Sequence, residues 1–168
     1  MRLCGKNVTK RGLSFGKRED PITNIWEELS KEIWQHRPEY ETAVGFEYWC
    51  NIISEKRSLP WHIDKDEYEL HENDELVTPI MGAVYYGFDH TFKGSGHLML
   101  IDADIEQTSP FLYNYEDNKE VVNVEPLLNR MVIFNASKWH RVETNFTGKR
   151  YTFAVNANRH RPKVLTKY

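Results

Sequence analysis

From Thr42 onward the chain is a succession of short apolar runs broken by turn-forming residues, and this texture restricts the fold more than any other feature. AVGFEYW, IMGAVYYGF, HLMLI, VVNV, RMVIF and RYTFAVN each have strand length and are rich in the aromatic and β-branched residues that suit a pleated surface. Polar or glycine-bearing segments such as DHTFKGSG and NFTGK separate them. Many short strands with few helical stretches between them bury their faces by packing sheet on sheet. The expected fold class is therefore mainly β, a sandwich or barrel with jelly rolls and cupins among the candidates, with its core over residues 42–158.

One supporting helix is expected ahead of that core. Asn24 followed by Glu27 reads as a capping box, and Trp26, Leu29, Ile33 and Trp34 recur at helical spacing before Pro38 stops the run. Those tryptophans read as packing residues rather than binding residues. The first twenty residues are polar and basic and are expected to form a surface arm. Two connections, 65–78 and 102–119, are long enough to serve as lids or binding loops.

The length of 168 residues suits a single domain, and the net charge of -3 provides no basic field for nucleic acid or an anionic membrane. Cys4 and Cys50 alone make neither a disulfide framework nor a four-ligand zinc site. No stretch has the apolar core of a signal peptide or a membrane span, so a cytoplasmic location is expected. Oligomeric state is not legible from these features.

The chemistry begins at His62-Ile63-Asp64, the only His-x-acidic triplet in the chain. In extended backbone, positions i and i+2 share a face, so both side chains can reach one ion. With 7 His and 25 acidic residues, about one such match is expected by chance. A turn closed by an aspartate hydrogen bond explains it equally well. His140 adds weight, because it follows the apolar run RMVIF and the short turn NASKW. Two imidazoles and one carboxylate on one side of a metal leave open positions, as in non-haem iron(II) oxygenases, although the same donors suit zinc or manganese. Arg150 opens the run RYTFAVN. If it points inward, a buried cation requires an anionic partner, and a dicarboxylate chelating the metal at one end would supply one.

Taken in order, WHID, IMGAVYYGFDHTFKGSGHLMLI, VNVEPLLNRMVIFNASKWHRV and GKRYTF resemble the iron(II)/2-oxoglutarate dioxygenases, most closely their prolyl-4-hydroxylase-like branch. The resemblance covers about Trp61 to Asn156. It implies a double-stranded β-helix, with Fe(II) held by His62, Asp64 and His140 and with 2-oxoglutarate and O2 as co-substrates. It implies that Arg150 and Tyr86 bind the far carboxylate of 2-oxoglutarate, and that Val84, Leu98 and Val142 line the pocket. Tyr48 is a further candidate on the strand before the metal motif, where the match is loose.

Two features narrow the resemblance. Asn156 stands where the nucleic-acid demethylases of the superfamily usually carry a second arginine, which counts against a nucleic-acid substrate. Asp64 stands where the halogenases carry a small residue, which points to hydroxylation. The turn Gly94-Ser95-Gly96-His97-Leu98 departs from the family's paired glycines at Ser95. The implied reaction is hydroxylation of a C–H bond, coupled to conversion of 2-oxoglutarate to succinate and carbon dioxide. The resemblance favours a protein side chain such as proline as substrate. A free amino acid or other small metabolite, or a non-catalytic cupin-like module that binds metal and an organic acid, are the alternative readings. The acidic stretch that begins at Asp64 reads either as a solvated loop or as an attractor for a basic peptide.

Overall fold

A computed structural model describes residues 14–54, 59–88, 93–101, 121–143 and 145–163. The expected loop 102–119, Cys4 and most of the expected N-terminal arm lie outside these residues.

The core is built from two antiparallel sheets. The larger has the order β1-β2-β11-β4-β8, formed by Ser14–Lys17, Gly45–Ser54, Lys149–Asn158, Met81–Tyr86 and Arg130–Phe134. The smaller has the order β3-β9-β6-β7, formed by Leu59–His62, His140–Val142, Leu98–Ile101 and Val121–Val124. A two-stranded ribbon pairs β10 (Phe146–Thr147) with β5 (Lys93–Gly94). The arrangement is an open sandwich of jelly-roll type: no ladder joins the two large sheets among the described residues.

Strand β11 organises the larger sheet because both its edges are paired. It runs against β2 over ten residues, from Lys149↔Ser54 to Asn158↔Gly45, and against β4 from Phe153↔Tyr85 to Ala157↔Met81. Alternation then divides its side chains. Phe153, Val155 and Ala157 join Phe46 and Tyr48 in a core roofed by helix α1 (Ile25–Trp34), which contributes Ile33 and the fully buried Trp34. Arg150, Thr152, Ala154 and Asn156 face the other way, towards the smaller sheet.

Helix α1 starts as its sequence implies: Asn24 Oδ1 accepts from the backbone N–H of Trp26 and Glu27. The returning arm of the capping box is displaced by one residue, since Glu27 accepts from the backbone N–H of Thr23 rather than of Asn24. Helix α2 (Glu39–Thr42) is a single short turn.

Two segments expected as an arm and a loop hold regular structure. Residues 14–17, the described end of the expected surface arm, lie at the edge of the larger sheet. They form β1, paired with β2, and Ser14 is buried. The long connection 65–78 carries a third helix, α3 (Glu67–Asn73), which Asp66 caps by accepting from the N–H of Tyr68 and Glu69. No helix among the described residues is long and apolar enough to cross a membrane.

Candidate metal centre

His62 and His140 are cross-strand partners on β3 and β9, with ring centroids 4.1 Å apart. The chain reaches β9 from the larger sheet through a tight turn, in which Asn135 Oδ1 accepts from the N–H of Ser137. His140 therefore opens β9 in the smaller sheet, across that turn from β8 in the larger one. Asp64 follows β3 directly, and its N–H donates to Ala136 O in that same turn at 3.0 Å. One backbone hydrogen bond thus ties the carboxylate's segment to the turn that delivers the second histidine.

The histidines are held alike. Nδ1 of His62 lies 2.7 Å from Pro60 O, and Nδ1 of His140 lies 2.9 Å from Lys138 O. A carbonyl only accepts, so each Nδ1 carries the proton and each Nε2 presents a lone pair. Both Nε2 atoms face Asp64 Oδ1, at 3.9 Å from His62 and 3.8 Å from His140. Burial pushes the His140 imidazole down to about 4, against the pull of the Asp64 carboxylate, so it is neutral at pH 7. Phe134 packs edge-on against its ring at 4.9 Å. The two Nε2 atoms and a carboxylate oxygen of Asp64 lie within 4.8 Å of one another, a grouping that could hold a metal ion.

The cleft that these residues line extends between the sheets to Arg150. This side chain is 2% exposed. Its Nη2 donates to the Tyr86 hydroxyl at 2.8 Å, its Nε is buried without a hydrogen-bond partner, and no carboxylate among the described residues pairs with it. Burial lowers the guanidinium pKa and the Tyr86 hydroxyl opposes the shift, but an arginine keeps its charge. Tyr86 is itself fully buried. Val84, Leu98 and Val142 line the cleft, the last two as register partners. The positive φ of Gly96, 53°, makes the turn that leads into Leu98.

The structure thus brings His62, Asp64, His140, Arg150, Val84, Leu98 and Val142 around one cleft, with Tyr86 joined to it through its hydrogen bond to Arg150. Tyr48 is placed elsewhere. It pairs with Val155, on the face of β2 that packs under α1, and its hydroxyl donates to Glu27. Its neighbours in the cleft are of the opposite parity, Trp49, Asn51 and Ile53. Those three, with Thr152 and Asn156, are among the cleft-lining residues that the sequence did not single out for the site. Their signal was the two-residue period of β2 and β11: once Arg150 faces inward, positions 152, 154 and 156 follow it.

Two further groups complete the electrostatics. Asn156 Nδ2 donates to Asp64 Oδ2 at 3.0 Å. Glu47, the register partner of Asn156, is pushed up to about 7, first by burial and then by the Asp64 and Asp66 carboxylates.

No family model matches the sequence, and no curated protein matches it. Among solved structures, the chain is similar to a Pseudomonas putida prolyl-4-hydroxylase, with 15% identity, a TM-score of 0.50 and coverage of 89% of this chain and 87% of that one. The two share a fold. An oxidoreductase of the 2OG-Fe(II) oxygenase family from Burkholderia pseudomallei also matches, with 11% identity and a TM-score of 0.43, over 73% of this chain. The chain spans 46% of that protein's length.

Proposed function

We propose that this chain is an iron(II)- and 2-oxoglutarate-dependent dioxygenase that hydroxylates a C–H bond. The observation that carries the reading is a buried arginine, with no carboxylate partner among the described residues, in the same cleft as a His-Asp-His group. A buried cation is costly without an anion, and a dicarboxylate with one end on the metal places its other carboxylate at such a group. The residues fit both groups. His62, Asp64 and His140 offer two imidazole lone pairs and one carboxylate oxygen, and the orphaned Nε of Arg150 offers a donor. When bound, iron(II) and 2-oxoglutarate supply the oxidising power by activating O2.

The chain's own residues position and enclose. Backbone carbonyls of Pro60 and Lys138 fix the histidine tautomers. The Tyr86 hydroxyl accepts from the guanidinium and so holds its plane, which sets the angle of a two-point grip on a carboxylate. Leu98, Val142 and Val84 keep the intervening space apolar, which strengthens that ion pair.

For the molecule oxidised, we favour a peptidyl side chain such as proline over a free metabolite. The Pseudomonas protein of the same fold is a prolyl-4-hydroxylase. The exposed acidic residues Glu67, Glu72, Asp74 and Glu75 on and after α3 lie a few residues from Asp64, where they would draw a basic peptide.

The test is aerobic incubation with iron(II) and 2-oxoglutarate, with and without panels of basic peptides and free amino acids. Succinate should form in the wild type and rise in the presence of a peptide that gains one oxygen. Succinate no higher than in an Arg150→Met variant would contradict the reading. Oxygen gained only by a free amino acid would move the substrate to the metabolite class.

A further inference from the structure

Asp64 uses its two oxygens differently. Oδ1 faces both histidine Nε2 atoms, while Oδ2 accepts from Asn156 Nδ2 at 3.0 Å. Asn156 is 3% exposed and lies on the cleft face of β11. Its register partner on β4 is Gly82. A Cβ on Gly82 would lie 2.9 Å from Asn156 Oδ1 and 3.2 Å from the Ala136 Cβ, so the missing side chain makes room for the carboxamide. Ala136 also accepts the N–H of Asp64. Backbone and side chain of Asp64 are thus fixed from two directions, and the second fixing depends on the Gly82–Asn156 pair.

We propose that Asn156 is a positioning residue that keeps Asp64 a one-oxygen ligand. The inference rests on the metal site proposed above. A carboxylate binds a cation through one oxygen or two, and a hydrogen bond to the second oxygen competes with the two-oxygen mode by occupying one of its lone pairs and fixing its direction. The difference matters for coordination. A chelating co-substrate and O2 together require three positions opposite the three protein ligands, and a two-oxygen Asp64 would take one of them.

The test uses Mn(II), whose paramagnetism reports how many exchangeable waters the bound ion keeps. Asn156→Leu retains the side chain's approximate volume, removes the donor and leaves no room for a replacing water. Gly82→Ala retains the donor but displaces it. Circular dichroism and a thermal melt establish that each variant is folded, and if one fails to fold the other carries the test. The expected result is Mn(II) affinity within about threefold of wild type, one exchangeable water fewer, and 2-oxoglutarate bound to the Mn(II)-loaded protein about tenfold more weakly. An unchanged water count and co-substrate affinity in a folded variant would overturn the role of Asn156 and leave the proposed function standing. Parallel loss of metal and co-substrate affinity with an unchanged water count would also overturn it, because that is what a merely structural residue would do. A wild type that binds no Mn(II) would remove both readings.

Discussion

The guanidinium of Arg150 donates to the Tyr86 hydroxyl across 2.8 Å, with its carbon 4.9 Å from the centre of the Tyr86 ring. Two neighbouring strands, β11 and β4, supply the pair, so the position of the cation is set by the sheet and by one phenol. Tyr86→Phe keeps the ring and removes the acceptor. The expected result is 2-oxoglutarate affinity lower by about 1 kcal/mol, or roughly fivefold, with iron affinity unchanged. Isothermal titration of each ligand separates the two. Equal weakening of both would mean that the substitution had disturbed the whole cleft.

Arg150 should oppose the stability of the empty protein. Its charge is buried with no carboxylate partner among the described residues. Arg150→Met fills similar space without the charge. The expected result is a metal-free protein more stable by about 1–3 kcal/mol in urea unfolding, with 2-oxoglutarate binding weakened by about 10- to 100-fold. A less stable variant would indicate that the guanidinium already has its anion within the fold.

Glu47 predicts a pH dependence. Folded, it titrates near 7, against 4.5 for an ordinary glutamate. Between those values the folded chain holds the proton and the unfolded chain does not. The favourable contribution is therefore present below pH 4.5 and is lost as pH rises through 7. Glu47→Gln lacks that loss. Relative to wild type it should gain about 1–3 kcal/mol between pH 4.5 and 8, measured by urea unfolding in a chelator. A difference between the two proteins that stays constant with pH would mean that neither burial nor the Asp64 and Asp66 carboxylates shift Glu47.

Asp66 is the mechanical link between the metal motif and the C-terminal segment. Its Oδ1 caps α3, its Oδ2 accepts from the N–H of Lys163, and His160 Nε2 approaches Oδ2 at 3.6 Å. Asp66→Ala should cost about 1–2 kcal/mol of stability and raise amide exchange in α3 first. Exchange rising uniformly across the fold would argue against a local cap.

The strand-rich texture was legible from local patterns, while the grouping of His62, Asp64 and His140 with Arg150 was legible only through the ordered set of motifs that carries the resemblance. Tyr48 was misplaced because its face depends on parity across β2, which only the pairing with β11 fixes: Tyr48 sits opposite Val155, and Asn51 opposite Thr152. The strand at 14–17 was hidden because SFGK has no alternating apolar pattern, and its pairing comes from the edge of β2. Helix α3 was hidden behind its acidic composition, though Asp66 stands at a capping position two and three residues before the amides it accepts from. The link from Asn156 to Asp64 joins residues 92 positions apart, a distance over which no local pattern reaches.

The central claim is that one cleft holds iron at His62, Asp64 and His140 and the far end of a dicarboxylate at Arg150. Anaerobic titration of the iron(II)-loaded protein with 2-oxoglutarate tests it most directly, through the weak visible charge-transfer band of a 2-oxo acid chelated to iron. The account predicts a saturable band in the wild type, its loss in His140→Ala, and its appearance only at roughly 10- to 100-fold higher 2-oxoglutarate in Arg150→Met. A folded wild type that binds iron and shows no band, or an Arg150→Met variant that saturates at the wild-type concentration, would contradict it.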